Sequence, residues 1–149
     1  MSRRIPMSLT LLALALALAL AQTPPREDAV RVRFLTAKGG EVVVRLAQNP
    51  TAQGFLALLP LTLEFRDFNR MEKIAYLPRR LPTQGSPSHT PKNGDLIYFV
   101  PWGNIGFFYD VARRDPSFDD RLILIGRVER GFELLSDLEV GPVRVERVR

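Results

Sequence analysis

The chain has 149 residues, a formal charge of +5 from 21 Lys and Arg against 16 Asp and Glu, and no Cys. Without Cys there is no disulfide framework, no thiol nucleophile and no thiolate metal site, so apolar burial must supply the stability. The basic residues, mostly Arg, are scattered among acids, as in Arg26-Glu27-Asp28 and Glu129-Arg130; nucleic acid requires a clustered basic face with stacking aromatics, so no nucleic-acid partner is expected.

The first elements are read as a targeting segment. Arg3 and Arg4 form a positive start, Leu9 to Leu20 is apolar apart from Thr10, and Ala19-Leu20-Ala21 is an A-x-A cleavage signature. The apolar run is too short to span a bilayer comfortably. The expectation is a signal peptide over 1–21, a flexible leader over 22–28, one domain over 29–149, and export to the periplasm or the medium with no stable membrane insertion after cleavage.

Ala29 to Thr36 alternates, with Val30, Val32 and Phe34 on one face and Arg31 and Arg33 on the other, which predicts a half-buried strand. Ala37-Lys38-Gly39-Gly40 predicts a hairpin turn into a second strand, Glu41 to Leu46. Asn49-Pro50 predicts a capped helix start, and Ala52, Phe55, Leu56 and Leu59 then form a single apolar stripe. A third strand is expected from Leu61 through Arg66, and a fourth from Glu72 to Leu77. Leu77 to Gly94 carries four prolines and reads as a long functional or mobile loop. Asp95 to Pro101 and Ile105 to Asp110 flank Trp102-Gly103-Asn104 as a hairpin. Arg113 to Arg121 reads as a solvated, charged loop. Strand Leu122 to Val128, helix Phe132 to Leu138 and strand Val143 to Val148 close the domain. This count predicts a mainly β chain: a closed eight-stranded barrel with a short α-helix at each mouth.

Several blocks in this order carry a resemblance. Asn49-Pro50-Thr51-Ala52 with Phe55, Glu72-Lys73-Ile74-Ala75-Tyr76-Leu77-Pro78, Gly94-Asp95-Leu96, Pro101-Trp102-Gly103-Asn104 and Gly126-Arg127-Val128 resemble the small prokaryotic cyclophilin-like family. The resemblance spans essentially the whole proposed domain and implies the cyclophilin fold, an eight-stranded barrel capped by two helices. True cyclophilins are peptidyl-prolyl isomerases. In them one Arg hydrogen-bonds the prolyl amide and a Phe-lined pocket holds the proline ring, which lowers a barrier of about 18–20 kcal/mol without metal, nucleophile or cofactor. Carried across, the Phe-His-Arg block of that family falls on Phe68-Asn69-Arg70, or in a shifted register its Arg falls on Arg66. The Gln-Phe-Phe block falls on Gly106-Phe107-Phe108, which keeps Phe108 as a pocket wall and loses the Gln. Tyr76-Leu77-Pro78 stands where Gln-Gly-Gly-Asp follows the catalytic Arg.

Two functional readings result. The first is a binding domain of unassigned activity that takes a peptide or small ligand in an aromatic groove. That groove would be built by Tyr76, Pro101, Trp102, Asn104 and Phe108 beside the proline-rich loop. The second is a weak peptidyl-prolyl isomerase acting on envelope proteins, with Arg66 or Arg70 as alternative catalytic groups. Trp102 reads either as a ligand platform or as a seal on the barrel mouth, and Asn104 as a turn residue. Glu72 and Lys73 point to opposite faces of a strand and are each expected in structural ion pairs. His89, the single His, lies beside Ser88 in a polar loop, where a hydrolytic pair is not expected. Asp115, Asp119 and Asp120 interleave with Arg113, Arg114 and Arg121, so no metal site is expected, and no cofactor. The sequence specifies no oligomeric state.

Overall fold

A computed structural model describes residues 28–149; the expected signal peptide and nearly all of the leader lie outside the described residues. The elements, in chain order, are β1 (Arg31–Leu35), β2 (Glu41–Leu46), α1 (Pro50–Leu56), β3 (Leu61–Leu63), β4 (Arg66–Phe68), β5 (Glu72–Tyr76), β6 (Asp95–Phe99), β7 (Asn104–Phe108), β8 (Leu122–Arg130) and β9 (Val143–Arg147). Three 3-10 segments, Val111–Arg113, Pro116–Arg121 and Phe132–Glu139, complete the chain. The strands form one antiparallel sheet in the order β3-β9-β1-β2-β8-β6-β7-β5-β4.

The inward residues explain the shape. Val32 and Phe34 of β1, Val42 and Val44 of β2, Leu96 and Tyr98 of β6, Ile105 and Phe107 of β7, and Ile123 and Ile125 of β8 belong to one buried cluster. A single sheet can wrap a single core only by curling, as right-handed twist favours. Phe34 sits at its centre, 5.0 Å from Phe107 edge-to-face and 6.3 Å from Phe55 in a stack. Such pairs add about 0.5–1.5 kcal/mol each to the area they bury. The outward arginines of β1 meet acids across the sheet, Arg31 on Glu129 at 2.6 Å and Arg33 on Glu146.

Local signals account for the connections. Thr36 and Gly40 close the first hairpin through a 2.8 Å backbone bond, with Gly39 at φ +90°. The side chain of Asn49 accepts from the Ala52 amide at 2.8 Å, and Pro50 opens α1. Phe55 and Ala52 then bury completely.

Three expectations change. The sheet is strongly curled but its ladder is open: β3 and β4 are its two edges and do not pair, so the closed barrel is not formed by hydrogen bonds. Among the described residues there are nine strands, because the expected third strand is replaced by two. Inward alternation runs on through Leu63 and Phe65, yet the chain crosses at Glu64–Phe65 from one sheet edge to the other. The second α-helix is a 3-10 segment, whose three-residue turn puts Leu135 and Leu138 together into the core while Phe132 stays exposed.

Candidate functional site

The outer face of the sheet carries a second apolar cluster. Cross-strand partners share a face, and the register sets Phe68 opposite Glu72, Glu72 opposite Phe108, and Ile74 opposite Gly106. It also sets Ile97 opposite Gly106 and Phe99 opposite Asn104. Met71, Ile97, Phe108 and Leu122 bury there, with Phe68, Phe99 and Val111 packed around them. This face is hollow above Glu72 and Asn104, where a cavity of about 490 Å³ opens. Its size suits a small ligand or a short stretch of peptide.

Aromatic rings form the walls. Trp102 meets Phe68 at 5.5 Å and Phe99 at 5.4 Å, both edge-to-face. Phe118 continues the wall, 6.0 Å from Phe99. The rest comes from the 110–121 stretch, where Arg113, Arg114, Asp115, Asp119 and Arg121 line the rim. These charges are engaged with one another and with their surroundings. Arg113 donates to Asp110 at 2.7 Å, Arg114 to Asp119 at 3.0 Å, and Asp115 accepts from the Ser117 amide at 2.9 Å. Arg121 lies 5.7 Å over the Phe118 ring.

The floor is different. Glu72 is 8% exposed and Asn104 is 2% exposed, and neither side chain has a hydrogen-bond partner among the described residues; no buried side-chain polar atom there is left unsatisfied, so their free atoms open onto the cavity. Burial pushes the Glu72 carboxyl up to about 7, since no cation or donor offsets the lost hydration. Glu72 leans over Gly106, where a Cβ would overlap its Oε1; the glycine leaves the carboxyl its space.

Four of the five expected binding residues, Pro101, Trp102, Asn104 and Phe108, line this one cavity. Tyr76 lies on the same face, paired with Asn104, but stands outside the lining and is 50% exposed. Arg66 shares that face through its pairing with Ile74 and lies 5.7 Å over the Tyr76 ring. Arg70 is exposed in the β4–β5 turn at φ +54°. Neither arginine lines the cavity.

Other readings are corrected. Asn104 is a buried strand residue rather than a turn residue; Gly103, at φ +67°, makes the turn. Trp102, 46% exposed, lines the outer cavity and does not seal the core. The proline-rich loop is not a wall of the groove. Leu81 buries in the main core, its amide donates to the Tyr98 hydroxyl at 3.1 Å, and Thr51 donates to the Pro82 carbonyl at 2.7 Å, so the loop is strapped over α1 instead. Lys73 is ion-paired as expected, with Asp67 at 2.9 Å and with Glu139; Glu72 is not. Burial alone would lower the Lys73 ammonium, but the hydrogen bonds it donates to Glu139 and Asp67 hold it above its ordinary value. The Tyr109 hydroxyl donates to Asp67, and burial together with that bond pushes it up to about 12. His89 reaches Asp95 Oδ2 at 2.7 Å. Among the described residues no group of three His, Cys, Asp or Glu side chains could hold a metal ion, and no helix is long and apolar enough to cross a membrane.

A curled antiparallel sheet with one short α-helix, three 3-10 segments and an aromatic cavity on its outer face defines a small β-domain of the cyclophilin class. The model of the Cyclophilin-like family matches residues 35–146, and the chain belongs to that family. The fold is also similar to the solution structure of a hypothetical protein from Archaeoglobus fulgidus, at 20% identity and a TM-score of 0.61. That match covers 84% of this chain and 99% of the archaeal one. No curated protein matches.

Proposed function

We propose that this chain is an exported cyclophilin-like domain whose outer-face cavity binds a proline-containing or extended peptide segment, or a small ligand. One observation carries the reading: two polar side chains of low exposure, Glu72 and Asn104, have no protein partner and open onto an aromatic-walled cavity of about 490 Å³. Aromatic walls with a few convergent polar groups are the usual make-up of a ligand site. The closed form of the barrel belongs to the same proposal. Glu64–Phe65 bridges the two sheet edges covalently, and Phe65 sits in the core at that seam.

The isomerase alternative has one supporting feature, the placement of Arg66 on the face that also holds Phe108. Against it, Arg66 is stacked on Tyr76 and outside the cavity lining. Amide-resolved NMR during titration with a short proline-containing peptide tests the binding reading. Shifts confined to residues 68–74, 99–108 and 113–122 are expected. A spectrum unchanged at millimolar peptide refutes a peptide ligand.

A further inference from the structure

We propose that the cavity is built for a cationic amine carried on an apolar stem, with the ammonium seated on Glu72 and the stem held between Trp102 and the surrounding phenylalanines. The proposal rests on the cavity being a ligand site and names the chemistry of its occupant. Three features of the floor and walls lead to it. First, Glu72 is the one charged side chain lining the cavity that has no partner. The three arginines at the rim are engaged by Asp110, by Asp119 and by the Phe118 ring. The rim acids are also occupied, Asp119 by Arg114 and Asp115 by the Ser117 amide. An unpartnered buried carboxyl attracts a cation more strongly than it attracts any neutral donor.

Second, Phe68, Phe99, Trp102 and Phe108 line the same cavity as that carboxyl. An ammonium that meets a ring face gains from its quadrupole. Third, the strand beside the carboxyl leaves it in place and offers a second acceptor. Gly106 beneath it carries no side chain, and further along the same pair of strands Asn104 offers a carboxamide oxygen that can accept a further N–H. An anionic ligand would have to displace the rim aspartates from their arginines and would face Glu72 at the floor. A neutral ligand can hydrogen-bond that carboxyl but leaves its charge uncompensated.

Trp102 is the single tryptophan, so its fluorescence reports on this cavity directly. The protein is titrated with 4-phenylbutylamine, 4-phenylbutanol and 4-phenylbutyrate, which share a stem and differ in the head group. At pH 8.5 the amine is expected to bind at least tenfold tighter than the alcohol, and the carboxylate weakest. At pH 5.5 the amine keeps its charge while Glu72 takes up a proton, so the preference for amine over alcohol should collapse. The Ser117 amide holds the Asp115 carboxyl below its ordinary value while burial raises Glu72, so the two pH values are chosen to change the charge of Glu72. Glu72→Gln should remove the preference at both pH values while retaining alcohol binding. If the alcohol or the carboxylate matches the amine at pH 8.5, or if Glu72→Gln keeps the preference, the amine assignment is wrong and the cavity remains a ligand site. If none of the three probes perturbs Trp102, the binding reading itself falls along with it. The wild-type comparison at two pH values decides the question even if the Gln variant does not fold.

Discussion

Replacing Glu72 by Gln should make the protein more stable at alkaline pH and leave it nearly unchanged in acid. Glu72 is buried without a partner, and its carboxyl is raised from 4.5 to about 7. The folded state therefore holds this proton more tightly than the unfolded chain does. Below pH 4.5 both states are protonated and the side chain carries no electrostatic penalty. As pH rises past 7 the folded state must ionise a buried carboxyl, and stability is lost. A shift of that size corresponds to about 3 kcal/mol, at 1.36 kcal/mol for each pH unit. Gln has nearly the same shape and never ionises. The stability difference between Glu72→Gln and wild type should thus grow by about 3 kcal/mol between pH 4 and pH 8.5, equivalent to roughly 10 °C in Tm for a domain of this size. Urea or thermal unfolding of both proteins at the two pH values measures it. A difference that is the same at both pH values would show that Glu72 finds a counter-charge or water that stabilises its ionised form, and the argument from an unpartnered carboxyl would fail.

Further expectations follow from other sites. Asn49→Ala removes both the cap on the Ala52 amide and the 2.8 Å bond from its own amide to the Leu124 carbonyl, and should cost about 1–2 kcal/mol in urea unfolding. Gly106→Ala should displace Glu72 from the floor at little cost to secondary structure; in the amine titration it should weaken the amine and spare the alcohol. Prolyl isomerisation of a short peptide should proceed at its uncatalysed rate with the protein present, because neither Arg66 nor Arg70 lines the cavity; an acceleration abolished by Arg66→Ala would establish the alternative. Mass spectrometry of protein recovered from outside the cytoplasm should give a chain that begins at Gln22; an intact Met1 in that fraction would reject cleavage after Ala21.

The sequence made the core legible because a strand with one buried face must alternate. Val32 and Phe34 against Arg31 and Arg33 point inward and outward as their pattern requires. The same regularity misled at Leu61 to Arg66. A chain that steps between two sheet edges can keep its alternation, so nothing local distinguishes one strand from two. The placement of Trp102 and Phe108 on one site was readable, since the hairpin brings them to one face. The opposite wall was not. Arg113 to Arg121 is rich in paired charges, and only Phe118 gives it an apolar anchor, a single aromatic that any solvated loop can carry. Glu72 and Lys73 show the limit most clearly. Alternation puts their heads on opposite faces, as observed, but which one finds partners depends on Asp67 and on Glu139, and Glu139 is 66 residues away in sequence from Lys73.

That asymmetry separates the two faces of β5 into different roles. On the inner side Lys73, Asp67, Glu139 and the Tyr109 hydroxyl satisfy one another, and they tie the 3-10 segment Phe132–Glu139 to strands β4 and β5. On the outer side, one residue earlier in sequence, Glu72 is buried with none of this support. The fold had the means to pair it, since three arginines line the same cavity and each is engaged elsewhere. A well-packed apolar residue at position 72 would complete the cluster of Met71, Ile97, Phe108 and Leu122 without a charge penalty. Retaining a carboxyl there costs stability at neutral pH and gains nothing in packing. Such a cost is characteristic of a binding site, in which the missing interactions are supplied by the ligand.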